Sequence, residues 1–175
     1  MVLIRTAVHA DAAAISRVHI ASWRTTYRGI VPATFLDALD PEERAVRWLK
    51  IIDSGSHLVV AEIEGQIVGF INGGPIREPL ANYDAELYAI YLLEGTQRKG
   101  IGTALLIALM KCLYEEGYRS MVVWVLEANG SQRFYEKTGA VSVTAKEIEI
   151  GGALLPAVAY AWPNLTANAS LDLND

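Results

Sequence analysis

Gln97-Arg98-Lys99-Gly100-Ile101-Gly102 decides how this chain is read. The run before it, Glu-Leu-Tyr-Ala-Ile-Tyr-Leu-Leu over 86–93, predicts a strand. The stripe after it (Ile101, Ala104, Leu105, Ala108, Leu109, Cys112 and Leu113) predicts a helix over 101–116, stopped by Gly117. A basic, glycine-bearing turn between a strand and a helix N-terminus is a physical anion site, because free backbone N–H groups and the positive end of the helix dipole point into it. The dinucleotide fingerprint G-x-G-x-x-G lacks its third glycine here, since Thr103, Ala104 and Leu105 follow Gly102. A P-loop wants Lys-Ser/Thr at its end, but Lys99 precedes Gly100 and no such pair follows. The remaining design, Q/R-x-x-G-x-G/A, is met as Gln97-x-x-Gly100-x-Gly102.

Working outward, residues 2–7 predict a first strand, and Asp11 caps a helix whose stripe runs through Ile15, Val18, Ser22, Trp23, Thr26 and Tyr27 to a stop at Arg28-Gly29. Residues 34–39 predict a further turn or two of helix. Asp40-Pro41-Glu42-Glu43 starts another helix with a cap, a proline at the first position and acids in the first turn, and it carries Ala45, Trp48, Leu49 and Ile52. Strands over 57–63 and 66–72 flank the tight turn Glu64-Gly65, and 76–84 reads as a loop. The run 120–126 is nearly all apolar, as a strand buried on both faces requires. Asn129 starts a short helix ending at Gly139, and 141–150 and 153–162 form a last hairpin across Gly151-Gly152. The order β-α-α-β-β-β-α-β-α-β-β predicts an α/β fold: a mixed, mostly antiparallel central sheet with one β-α-β unit and helices on both faces. One domain is expected over 1–163, with a flexible tail over 164–175.

The chain has 175 residues, 52% apolar and 20% charged, with a net charge of −5. That suits a single globular domain, slightly greasier than average, which favours a buried oligomer face such as a homodimer's. The acidic balance argues against nucleic acid as a partner. Cys112 is the one cysteine, so neither an internal disulfide nor a cysteine-based zinc site can be built, and no metal is expected. Met1 to Ala14 has no sustained apolar core of a signal peptide, and no run of roughly 18 apolar residues is present. A cytoplasmic setting without membrane insertion is therefore expected.

The loop, together with Asn129-x-x-x-x-Phe134-Tyr135-Glu136-Lys137-x-Gly139 and the closing Ala159-Tyr160-Ala161-Trp162, resembles the GNAT superfamily of acyl-CoA-dependent N-acetyltransferases over nearly the whole chain. Trp23-Arg24-Thr25-Thr26-Tyr27-Arg28-Gly29-Ile30-Val31-Pro32 is similar to a branch that includes small-amine-acetylating members. The resemblance implies that the anion is the pyrophosphate of coenzyme A, with acetyl-CoA as co-substrate. The stretch Gln97, Arg98, Lys99, Gly100, Ile101, Gly102 and Thr103 would hold it through backbone amides, two basic side chains and a hydroxyl. It also implies a bulge in the strand before the loop, parting from the next strand near Leu92. Amides of Leu92 and Leu93, and the Asn129 side chain, would then bind the pantetheine arm.

Acetyl transfer to an amine needs a neutral nucleophile, a held oxyanion, a proton for the leaving thiolate and alignment of both reactants. By resemblance, Glu86 is the expected base, with a water chain as the alternative and Asp84, Tyr88 and His19 as lesser candidates. Tyr135 is the expected acid, with Phe134 facing the core. Trp23, Tyr27 and Tyr91 are expected around the acceptor, where aromatic faces and acidic groups suit a cationic amine. The implied activity is transfer of acetyl from acetyl-CoA to a primary amine of a small molecule, a protein N-terminus or a lysine, by direct attack in a ternary complex. An acyl-CoA-binding regulatory module with little turnover is the alternative. Nothing in the sequence selects the acceptor.

Overall fold

A computed structural model describes residues 1–168. The elements in chain order are β1 (Val2–Thr6), α1 (Ala12–Thr26), α2 (Ala33–Asp37), α3 (Pro41–Asp53), β2 (His57–Ile63), β3 (Gln66–Pro75), β4 (Ala85–Leu92), α4 (Ile101–Glu115), β5 (Met121–Leu126), α5 (Gln132–Lys137), β6 (Val141–Ile150), β7 (Ala153–Trp162) and α6 (Leu165–Asn168). One seven-stranded sheet runs β1-β2-β3-β4-β5-β7-β6. Every pairing is antiparallel except β4 with β5, which is the single β-α-β unit the pattern predicts.

Helix α4 packs on one face of the sheet. It buries Ile101, Leu105, Leu106, Ile107, Leu109, Met110 and Leu113. Each such side chain contributes about 1.5–3 kcal/mol. This stripe is rotated from the expected one, which included Ala104, Ala108 and Cys112; the larger side chains take the sheet-facing positions and Cys112 stays half-buried. On the other face α1 and α3 cover β2, β3 and β4, around Ile15, Val18, Trp48, Val60 and Phe70. Two caps differ in outcome. Asp40 caps α3 as predicted, accepting from the Glu43 N–H at 2.8 Å. Asp11 makes no cap bond to α1; its carboxylate takes the Arg5 guanidinium at 2.7 and 2.9 Å and the Val8 N–H at 2.8 Å.

The strand β4 carries a bulge. Its register against β3 slips between Asn72↔Ala89 and Gly73↔Leu87, leaving Tyr88 as the extra residue. Beside it, β4 pairs with β5 only through Ala85, Glu86 and Leu87. The two strands therefore part just after Leu87 and Val123, at the bulge itself, rather than near Leu92 as expected. A bulge twists the strand locally and ends pairing on one side. At the C-terminal end, Leu165 is fully buried and its N–H donates to the Arg119 carbonyl at 2.9 Å, so the first residues of the expected tail are packed. Residues 169–175 lie outside the described residues.

Candidate active site

Where β4 and β5 separate, a cleft of about 590 Å³ opens. It is lined by β4 from Leu87 to Leu92, by β5 from Val123 to Val125, by the turn and first residues of α4, by the segment from Asn129 to Lys137, and by Ser22, Thr26 and Tyr27 at the end of α1. Beyond Leu87, β4 has no partner strand on its β5 side. Backbone donors and acceptors on that edge are left for water or a ligand, as at any exposed sheet edge.

The turn is built for close approach. Arg98 and Gly100 both have left-handed backbones, at φ 59° and 78°. For Gly100 this conformation is free of the Cβ clash an L side chain meets. Gly102 is helical and close-packed: a Cβ there would stand 3.3 Å from Leu92 Cδ1 and 3.4 Å from Phe134 Cε2. The first N–H groups of α4 lack intrahelical partners by construction, and no side chain caps them.

Of the residues expected to hold a cofactor, Leu92, Gln97, Arg98, Gly100, Gly102, Thr103 and Asn129 line this cleft. Three do not. The Lys99 ammonium turns back to donate to the Gly95 carbonyl at 3.0 Å. Ile101 is 3% exposed and belongs to the core under α4. The Leu93 N–H is already spent on the Val68 carbonyl at 2.9 Å, so it is not a free donor. Gln97 donates to the Leu92 carbonyl at 3.3 Å, tying the turn to the end of β4. Asn129 does not cap α5, which begins at Gln132; its side-chain oxygen accepts from the Ser131 N–H at 3.1 Å in the turn before the helix.

Tyr135 reaches the cleft, but not as its exposed member. It is 6% exposed, packed among Phe134, Tyr160 and Trp162, while Phe134 is only half-buried. The expected division, with Phe134 inward and Tyr135 outward, is reversed because the larger aromatic cluster lies on the Tyr135 side. Burial, with a smaller contribution from Tyr27, pushes its phenol above the ordinary tyrosine range, while the Ser131 hydroxyl works the other way. The phenol therefore keeps its proton at neutral pH.

Glu86 is not presented to the cleft. Its carboxylate is nearly fully buried and takes the Arg77 guanidinium at 2.5 Å and the Arg77 N–H at 3.1 Å. Asp84 is likewise spoken for by the N–H groups of Arg119 and Ser120 and the Ser120 hydroxyl. His19 is packed between Trp23, Trp48, Phe70 and Tyr91, where burial lowers it to about 3, so it is neutral and a poor base at pH 7. Tyr27 and Tyr91 line the cleft with their hydroxyls 3.4 Å apart. Trp23 stands behind them, its ring 4.6 Å from that of Tyr27 and 6.3 Å from that of Tyr91.

Among the cleft residues not singled out from the sequence are Ser22 and Ser131. Ser22 donates to the Leu92 carbonyl at 3.2 Å and so ties α1 to the free part of β4. A serine inside the apolar stripe of α1 was the available signal. Ser131, whose buried hydroxyl faces Tyr135, carries no signal in the pattern. Among the described residues no group of three or more His, Cys, Asp or Glu side chains is placed to hold a metal ion. No helix among them is long and apolar enough to cross a membrane.

The model of the acetyltransferase (GNAT) family matches residues 20–140, which span the cleft from α1 to the end of α5. An uncharacterized N-acetyltransferase of Bacillus subtilis, YuaI, is 41% identical over 171 residues, covering 98% of each chain. The phosphinothricin N-acetyltransferase of Streptomyces viridochromogenes is 29% identical, covering 78% of this chain and 72% of that protein. In fold, the chain is similar to the PaiA N-acetyltransferase of Thermoplasma acidophilum, solved with coenzyme A, at a TM-score of 0.69 and 24% identity over 90% of this chain and 98% of that one. The parted strands, the glycine turn and these likenesses lead to one conclusion: the chain belongs to the GNAT family and is an acetyl-CoA-dependent N-acetyltransferase.

Proposed function

We propose that this protein transfers the acetyl group of acetyl-CoA to the primary amine of a small molecule, by direct attack while both are bound. The observation that carries the proposal is the union of a left-handed glycine turn at an uncapped helix N-terminus, an unpaired strand edge and a buried tyrosine around one cleft. The free amides of the turn from Arg98 to Thr103 suit a pyrophosphate, and Arg98 adds charge. The unpaired edge of β4 suits the two amides of a pantetheine arm, received as a neighbouring strand would be. Leu93 is excluded from that contact by its bond to Val68.

At the reacting centre, the amine nitrogen forms a bond to the acetyl carbon, the carbon–sulfur bond breaks, and the amine loses one proton as the sulfur gains one. Tyr135 donates a hydrogen bond to the departing sulfur. Full proton transfer from this phenol is uphill, because a thiol is the stronger acid and burial raises the phenol further. Its contribution is thus stabilisation of the thiolate, with solvent returning the proton. Since Glu86 is locked to Arg77, deprotonation of the amine falls to water rather than to that carboxylate. Alignment of the two reactants supplies the larger share of the rate.

The test is thiol release from acetyl-CoA against a panel of amines that includes phosphinothricin, polyamines and amino acids. Acceptor-dependent release supports the proposal. Tight coenzyme A binding with no release on any acceptor contradicts it.

A further inference from the structure

A second cavity, of about 660 Å³, lies on the α1–α3 face of the sheet. It shares Tyr88 and Ala89, the residues of the β4 bulge, with the cleft. A molecule held there would approach the break between β4 and β5 from the side opposite α4. This is the side from which an acceptor must come if the donor occupies the cleft, so the inference rests on the function proposed above.

The lining is cationic where an amine pocket would be expected to be acidic. Arg44, Arg47 and Arg77 contribute to it, with Glu116 as the one carboxylate among the lining residues. The acids nearby are already matched. Glu116 pairs with His57 at 2.9 Å, Glu43 with Arg47 at 2.6 Å and Glu86 with Arg77 at 2.5 Å. Among the described residues Arg44 has no ion-pair partner, although it is half-buried. A half-buried guanidinium without an ion-pair partner is costly: desolvation first, then Arg47, weaken its hold on the proton, with Glu43 and Tyr91 opposing them. The cavity wall has further unmet polar capacity. His19 and Trp48 both line it, and His19 Nδ1 and Trp48 Nε1 are buried without a hydrogen-bond partner.

We infer that the acceptor is an anionic amine, with a carboxylate on or near the amine-bearing carbon, and that Arg44 receives that carboxylate while the amine points to the β4 bulge. Arg44 acts in binding and takes no part in the chemistry. The size of the cavity admits an amino acid or a somewhat larger amino acid derivative. The neutral His19 adds no competing charge.

The experiment measures kcat/KM for matched pairs: phenylalanine with phenethylamine, methionine with 3-methylthiopropylamine, and lysine with cadaverine. The wild type is expected to prefer the carboxylate-bearing member of each pair. In Arg44→Gln that preference should fall by roughly 10- to 100-fold, the loss of one charge-assisted hydrogen bond, through KM rather than kcat. Arg44→Lys should restore part of it. Equal or better use of the decarboxylated amines by the wild type, or an unchanged preference in Arg44→Gln, overturns the inference and leaves the transferase reading intact. Absence of turnover on every acceptor overturns both. Circular dichroism and coenzyme A affinity of the variants show whether the fold and donor site are retained.

Discussion

Replacing Gly100 by alanine forces a choice on the turn. The residue sits at φ 78°, where an L side chain costs about 1–2 kcal/mol. An added Cβ would meet nothing within 4 Å, so the penalty comes from the backbone and not from crowding. The chain has two ways out. If the left-handed turn is kept, the strain appears as lost stability, a fall in Tm of roughly 2–8 °C for a domain of this size. If the turn relaxes, the N–H groups at the start of α4 no longer converge. Losing one charge-assisted bond to the pyrophosphate then weakens coenzyme A binding by roughly 10- to 150-fold. Gly29→Ala is the control: its backbone has the same φ of 78°, an added Cβ would meet nothing within 4 Å, and it does not line the cleft, so it should lose stability with coenzyme A affinity unchanged. Thermal unfolding and calorimetric titration with coenzyme A read both variants. A Gly100→Ala protein with wild-type Tm and wild-type affinity would refute the assignment of the turn.

Other outcomes follow from the same geometry. Tyr135→Phe should lower kcat by roughly 10- to 1000-fold with coenzyme A affinity unchanged; an unchanged kcat removes the phenol from the reaction. Because burial raises that phenol, its proton is held throughout the range below the ordinary tyrosine value of about 10. The pH profile of kcat should therefore climb as the acceptor amine deprotonates and show no descending limb below about pH 10. A limb near pH 8 would contradict the role. Arg5→Ala strands the Asp11 carboxylate, which is 7% exposed, and should cost about 1–3 kcal/mol by urea unfolding at pH 7. Arg5 hydrogen bonding holds Asp11 below its usual range against the opposing pull of burial. The stability it confers is thus present above the unfolded carboxylate value of about 4 and is lost as pH falls below it, so the Arg5→Ala deficit should shrink in acid.

The β-α-β unit was legible because its signals agree across levels: an apolar strand, a glycine turn and a helix stripe in immediate succession. The parallel β4–β5 pairing, the glycine turn before α4 and the closing hairpin all follow from local pattern. The break between β4 and β5 was not legible in position. It depends on where Tyr88 slips out of register, and a one-residue bulge leaves no trace in alternation where every residue after Glu86 in the strand is apolar or aromatic. The fate of Glu86 was hidden for a different reason. Its partner Arg77 comes from a loop whose path no periodicity predicts. Arg44 had a readable sign: it lies one helical turn before Trp48, so it shares the inward face of α3. The aromatic surroundings that draw Tyr135 inward come from β7, across the sheet, and only the assembled fold brings Tyr160 and Trp162 to it.

The most direct measurement is a crystal structure with coenzyme A bound. The account predicts the pyrophosphate on the amides of residues 98–103, the pantetheine along the unpaired edge of β4, and the sulfur at the break beside the Tyr135 hydroxyl. Coenzyme A bound away from the β4–β5 cleft, or with its sulfur out of reach of Tyr135, would contradict it.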